Sequence, residues 1–402
     1  MIPGALSDLT VLECAEFISG PFCAKLLADL GANVIKVEPP AGERARRAGP
    51  FPADEPHPDK SGLFIYLNTS KRGITLELDS PAGVRLFRAL ARRADVLIEN
   101  YPLAVMARRG LTAAALRQDN PGLVVTSISA FGHSGPKRNY RATNLVSMHM
   151  GGIGYYTPGL VDSERQPPLK GGGHQAEFVA GYMAALQTMA AVLGRQTTGQ
   201  GQHIDLSTQE AVAFNLMRDI AMYTCSGVQP GRVKGKVQAF GHFLPCADGY
   251  VQLYMTNERQ WEAFVELLGN PAWAKDERYA TTFSRVVNVA SLEEHIKEWT
   301  ATRTKQEIYH ALQVRHVAAA PVNTMDEVLA SPQLAARGFF VSVPQPEAGP
   351  LTCPGGPCAL SETPFRVRRP APRLGEHNVE IICGELGYSR ADLVRLRALG
   401  AI

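Results

Sequence analysis

Short apolar runs alternate with amphipathic stretches through the first third of the chain. Residues 10–15 form one such run, and Gly20-Pro21 ends it, with Pro21 where a first helical residue belongs. Residues 22–30 carry helical spacing and stop at Gly31, and residues 33–38 (Asn-Val-Ile-Lys-Val-Glu) read as the next strand. The unit then repeats. Residues 73–78 predict a strand, Asp79-Ser80-Pro81 a helix cap and first turn, residues 84–93 a helix and 95–99 a strand. Short helices around Met106 and Leu116 lead to a further strand at 123–128. Strands joined by short helices predict an α/β fold with a doubly wound, parallel, Rossmann-like sheet and right-handed crossovers.

The pattern then changes. Residues 148–173 are rich in Gly and Pro and read as a long irregular loop. A strong helix follows, with Phe178, Tyr182, Met183, Leu186, Met189, Ala190 and Leu193 at helical spacing. A turn at 197–202 precedes a strand at 203–206, and Ser207 caps another helix. Residues 227–236 look like a linker, 249–255 like a strand, and 260–330 like several amphipathic helices forming a smaller domain. The segment from Glu376 onward ends in helices.

Composition narrows the class. The chain has 402 residues, enough for two domains, with 45% hydrophobic and 20% charged residues, as in soluble globular proteins. A net charge of +3, with no basic block interleaved with aromatics, argues against a nucleic-acid partner. The first residues lack the basic and apolar regions of a secretory signal. The apolar stretch 178–194 is interrupted by Gln187 and Thr188 and falls short of the roughly 20 residues of a bilayer span. Seven scattered cysteines suit reduced thiols in the cytoplasm. Cys353 and Cys358 bracket a Pro/Gly loop with no second ligand pair, so no metal is expected.

Ligands of open parallel sheets bind at the carboxyl ends of the strands. Three ends are candidates here: residues 17–21, including Phe17 and Ile18; Asn100-Tyr101; and residues 130–137. Neither a G-x-G-x-x-G fingerprint nor a Walker A loop occurs, which excludes those nucleotide templates. Basic pairs at Lys71-Arg72, Arg108-Arg109 and Lys137-Arg138 suit a ligand with several phosphates.

Residues 27–38 (Leu-Ala-Asp-Leu-Gly-Ala-Asn-Val-Ile-Lys-Val-Glu), with Gly20-Pro21 ahead of them, resemble the opening signature of family III CoA-transferases and the related 2-methylacyl-CoA racemases. Asn68-Thr69-Ser70-Lys71-Arg72, Glu99-Asn100-Tyr101, Thr198-Gly199-Gln200-Gly201-Gln202 and Leu374-Gly375-Glu376-His377 are similar to further blocks of that family, in family order. The resemblance implies an interlocked, ring-like dimer. Its large CoA-binding domain would comprise 1–226 and 331–402, and a small α+β domain 227–330. It implies acyl-CoA and a carboxylic acid as substrates, and no separate cofactor. CoA would lie over the sheet ends, along Phe17, Ile18, Asn100 and Tyr101, with Lys71, Arg72 and Arg108 facing phosphates and Lys137 nearby.

The family's nucleophile is an aspartate just ahead of the long helix. Counting back from Gln202 places Glu177 there, and no other carboxylate lies between Glu164 and Asp205. A glutamate can attack a thioester as an aspartate does. Its extra methylene moves the carboxylate by about 1.5 Å. Two alternatives accompany this reading. In one, the chain is a non-catalytic partner subunit of a heteromer that lost the nucleophile. In the other it is a racemase, which needs acid/base groups on both faces of a carbon. The racemase His-Asp pair aligns with Thr143-Asn144, and neither ionises near pH 7. His174 is placed to orient Glu177 or to contact substrate, and Gly171-Gly172-Gly173 to supply mobile backbone beside it. Tyr155, Tyr156, Phe240 and Phe243 hint at a bulky or aromatic acid.

Overall fold

The computed structural model describes residues 4–161, 163, 165–234 and 242–402; Phe240 and Glu164 lie outside the described residues. Six strands form one sheet: β1 (Thr10–Cys14), β2 (Asn33–Glu38), β3 (Arg72–Thr75), β4 (Val96–Glu99), β5 (Val124–Ser129) and a sixth, His203–Ser207. Their order is β3-β2-β1-β4-β5 and then the sixth, with every neighbouring pair parallel. A parallel sheet is covered on both faces, which explains why Val96-Leu97-Ile98 of β4 reads as a continuous apolar run instead of an alternating one.

Leu12, Ile35, Leu97 and Val125 face one core, closed by Leu86 and Phe87 of the helix Pro81–Ala91 and by Ile381, Ile382, Leu393 and Leu396 near the end of the chain. Val11, Val34, Val96 and Ile98 face the other, against Leu27 of the helix Ser19–Asp29 and Ala180, Ala184 and Ala185 of the helix Gln175–Thr198. Those two helices approach closely because residue 181 is glycine. A Cβ there would sit 2.9 Å from the Ser19 carbonyl oxygen and from Phe22. Among the described residues, Gln175–Thr198 is the one helix long and apolar enough to cross a membrane; here its small residues pack on the sheet.

The chain divides into two compact units, one of Met1–Gly154, Lys170–Val228 and Gln333–Ile402, the other of Tyr155–Leu169 and Gln229–Pro332. The second unit carries a three-stranded antiparallel sheet (Ala318–Pro321, Gly249–Tyr254, His242–Cys246) over a core that includes Val251, Trp261, Phe264, Leu292 and Ile308.

Three elements differ from the sequence expectation. Gly62–Asn68 is a helix capped by Ser61, whose hydroxyl accepts from Phe64 N–H at 3.1 Å. Asn144–Met150 is a helix that runs into what reads as loop, because Gly151 and Gly152 mask its end. Phe340–Gln345 and Gly349–Pro354 pair as an antiparallel hairpin despite four prolines in that stretch. The expected caps at Ser80 and Ser207 are present, accepting from Ala82 and Glu210 N–H groups.

Candidate active site

Strand order reverses between β1 and β4, so the chain leaves these neighbours in opposite directions and opens a crevice at their carboxyl ends. Asn100 joins the two ends. Its Oδ1 accepts from Glu16 N–H at 2.9 Å, and its Nδ2 donates to the Glu16 carbonyl at 2.8 Å. The Tyr101 hydroxyl donates to Glu16 Oε1 at 2.7 Å, and burial raises its phenol well above the ordinary value. Glu99 beneath them accepts from Tyr101 N–H at 2.9 Å, and burial pushes its carboxyl up to about 7. Above lies a cleft of about 710 Å³, lined by Glu16, Arg44, Asn100, His133, Arg138 and Arg141 among others.

Phe17 turns the chain out of β1 with φ +69°, a left-handed conformation that costs a bulky residue strain. A buried ion network holds it. Phe17 N–H donates to Glu43 Oε2 at 2.7 Å, and Glu43 Oε1 lies 2.9 Å from Lys36 Nζ. Lys36 also meets Glu13 at 2.8 Å, and Glu13 meets Lys71 at 2.7 Å, all without solvent exposure. Burial works against the charge of Lys36, but Glu13, Glu43 and Glu38 outweigh it and keep the ammonium above the usual lysine value. Burial likewise opposes ionised Glu13, and Lys36 and Lys71 hold its carboxyl below the usual range. For Lys71 burial prevails, lowering it to about 8.

Phe17 in turn connects the cleft to the long helix. The Arg44 guanidinium sits 4.4 Å from the Phe17 ring centroid, and the His174 ring meets the same ring edge-on at 5.1 Å. Glu177 lies in the first turn of that helix, three residues on and half-buried. A carboxylate at a helix N-terminus is favoured by the macrodipole. Glu177 Oε2 accepts a short hydrogen bond from Asn144 Nδ2. Lys170 Nζ donates to the carbonyls of Gly171 and Gly173 at 3.0 and 2.7 Å, closing the glycine run next to it.

Several expected site residues sit elsewhere. Arg72 is the first residue of β3, so it stands at the amino edge of the sheet, opposite the ligand end; there it pairs with Glu380 and Glu385. Lys71 is buried and engaged by Glu13, Asn68 and the Pro21 carbonyl. Neither offers a cation to a phosphate in this arrangement. Ile18 points into a core with Phe22 and Leu67 rather than into the cleft. Arg108 is exposed, 3.5 Å from Asp79, and lines a neighbouring hollow of about 470 Å³. Lys137 is exposed, and it is Arg138 and Arg141 of the same segment that line the cleft. Asn144 escaped the sequence reading as a partner of Glu177, because 33 positions separate them and only the fold joins them.

A doubly wound sheet with an arginine-lined cleft at its switch point defines a site for a large anionic ligand. A family model described as CoA-transferase family III matches residues 6–378. The chain is 33% identical over 382 residues to succinate–glutarate CoA-transferase of Agrobacterium fabrum, covering 94% of each. It is also 33% identical over 405 residues to the succinyl-CoA:(R)-benzylsuccinate CoA-transferase subunit BbsE of Thauera aromatica, covering 95% of each. The crystal structure of a CAIB/BAIF family protein from Brucella suis matches with a TM-score of 0.85 at 32% identity, over 95% of this chain and 99% of that one. This chain belongs to CoA-transferase family III. It is an enzyme that moves CoA from an acyl-CoA to a carboxylic acid.

Proposed function

We propose that the enzyme takes CoA from succinyl-CoA, or a similar dicarboxylic acyl-CoA, and passes it to a second carboxylic acid by way of Glu177. Relatives named for succinate, mesaconate and D-citramalate support the donor. The observation that carries the mechanism is the position of Glu177. It is the one carboxylate in its stretch of sequence, in the first turn of a helix whose cap packs on the Phe17 turn at the switch point.

The carboxylate oxygen attacks the thioester carbonyl carbon, the C–S bond breaks, and CoA leaves as thiolate. The product is a mixed anhydride. The thiolate then attacks the Glu177 side-chain carbon and expels the donor acid as a carboxylate, leaving a glutamyl-CoA thioester. The acceptor carboxylate repeats both steps in reverse and restores free Glu177. This cycle needs no cofactor beyond CoA. Arg44, Arg138 and Arg141 receive the phosphates in the cleft, Asn100 and Tyr101 shape its floor, and Arg108 and Lys137 lie at its approaches.

The working form is a dimer, with residues 1–226 and 331–402 as the CoA-binding domain apart from Tyr155–Leu169, which cluster with the small domain of 227–330, and the cytoplasm as its compartment. Seven unpaired cysteines suit a reducing environment. Leu186, Leu193, Phe214, Met217, Ile220 and Tyr223 are all exposed, and the helix Met217–Ser226 buries none of its residues. An apolar patch of that extent belongs against another chain, here a second copy. Sedimentation velocity showing a monomer at micromolar concentration would contradict this.

A second reading, the non-catalytic subunit of a heteromer, draws support from the glutamate at 177 and from a relative named as a subunit. The racemase reading draws none, since the aligned pair ends in the neutral amide Asn144. Trapping separates the first two. With succinyl-CoA and then hydroxylamine or borohydride, peptide mass spectrometry is expected to find the modification on Glu177. CoA-ester binding without any labelled residue would favour the partner subunit.

A further inference from the structure

We propose that Asn144 is a catalytic residue, the hydrogen-bond donor that stabilises the oxyanion formed on Glu177 at each acyl exchange. The inference rests on Glu177 as nucleophile and adds the group that makes a glutamate serviceable there.

Asn144 is the first residue of the helix Asn144–Met150 and is 4% exposed. That helix lies against the start of the long helix through a small cluster of Met148, Ala176 and Val212. Its Nδ2 donates to Glu177 Oε2. Its Oδ1 is buried and has no hydrogen-bond partner among the described residues. Glu177 alone therefore sets which way this amide points. A buried amide with one terminus on a carboxylate and the other unanswered calls for an explanation, and a catalytic role is one. It does not cap its own helix either, for the residue before it is the N-cap.

The atoms of the reaction give this bond a role. When CoA thiolate adds to the Glu177 side-chain carbon of the anhydride, the C=O electron pair moves onto the oxygen facing Asn144. It returns as the donor carboxylate leaves. In the glutamyl-CoA thioester the same oxygen is the carbonyl. It becomes an oxyanion again when the acceptor carboxylate adds, until CoA thiolate departs. A donor fixed before reaction strengthens as negative charge develops and needs no reorganisation at that moment. The amide is neutral, so it donates to Glu177 without adding a second negative charge to the site. It also pins a side chain that is one methylene longer than the family's aspartate. An interaction that grows only in the transition state lowers kcat when removed and leaves ground-state binding alone.

The experiment is single-turnover trapping and steady-state kinetics on Asn144→Ala and Asn144→Asp, with succinyl-CoA as the probe. For Asn144→Ala we expect kcat to fall about 100-fold, with KM for succinyl-CoA little changed and Glu177 still labelled, more slowly. For Asn144→Asp, of nearly equal volume, we expect the acid limb of the kcat/KM profile to move to higher pH, since a neighbouring carboxylate raises the proton affinity of Glu177. Absence of label on Glu177 in the unaltered enzyme refutes the nucleophile itself. Label there, with Asn144→Ala turning over within about threefold of the unaltered enzyme, refutes the role of Asn144 alone. Should Asn144→Ala fail to fold, the pH profile of Asn144→Asp decides: an unmoved acid limb overturns the proposal.

Discussion

Glu177→Ala is expected to lower kcat for CoA exchange by at least about 10⁴-fold while leaving CoA-ester binding intact. Losing a covalent nucleophile removes the whole two-step route rather than one contact of many. Chromatographic separation of succinyl-CoA from the newly formed acyl-CoA measures the first quantity, and titration of intrinsic fluorescence the second. Glu177→Asp is the more informative variant, because it restores the family's residue. The carboxylate then withdraws by about 1.5 Å, away from Asn144 Nδ2, the partner it has in the native arrangement. A misplacement of about 1 Å costs around 100-fold when nothing compensates. The aspartate variant should therefore be about 100-fold slower than the natural enzyme. If it is faster, the surroundings are built for aspartate, and the glutamate is a defect that points to a degenerate subunit.

Lys36→Met is expected to produce the largest loss of stability. Lys36 has no solvent exposure and lies between Glu13 and Glu43 at 2.8 and 2.9 Å. Removing one partner of a buried ion pair costs about 3–5 kcal/mol, because the other charge stays buried and unanswered. Here two carboxylates are left, with Lys71 beside only one of them. The defect should also depend on pH. In the native protein Lys36 and Lys71 hold Glu13 below its ordinary value, so it contributes stability above that value and loses it as the pH falls through the folded-state value. Without Lys36, burial raises the two carboxyls instead. The folded variant then binds more protons than the unfolded chain, and its stability falls as pH rises. Urea unfolding at pH 5 and pH 8 should show the larger deficit at pH 8. Equal deficits would mean that Glu13 and Glu43 find other donors.

The parts of this site that were legible in the sequence are the local ones. A strand buried on both faces is rich in apolar and β-branched residues, so β1, β2, β4 and β5 announce themselves, and the turn after each marks the ligand end of the sheet. The place of Glu177 in the first turn of the long helix was legible too, by counting back from Gln202 along the family's pattern. Side-chain direction was not. Lys71 and Arg72 look like a solvated basic pair, yet successive residues of an extended segment point opposite ways. One is buried on Glu13, and the other reaches the amino edge of the sheet. The run Gly62–Asn68 is apolar without clear periodicity and is helical only because Ser61 caps it and it packs on Ala45 and Ala371. The hairpin ending at Pro354 was hidden by its prolines, which two-stranded ribbons tolerate at positions that donate no ladder hydrogen bond.

The large unit closes with residues that come late in the chain. Ile381, Ile382, Leu393 and Leu396 cover the face formed by Leu12, Ile35, Leu97 and Val125. During synthesis at roughly 5–20 residues per second, that sheet face therefore waits, covered only in part by Leu86 and Phe87, for tens of seconds before Ile381 to Leu396 are made. Apolar surface left partly open for that long is where a nascent chain associates wrongly, so the order of the segments along the chain, and not only their final packing, shapes how this protein folds.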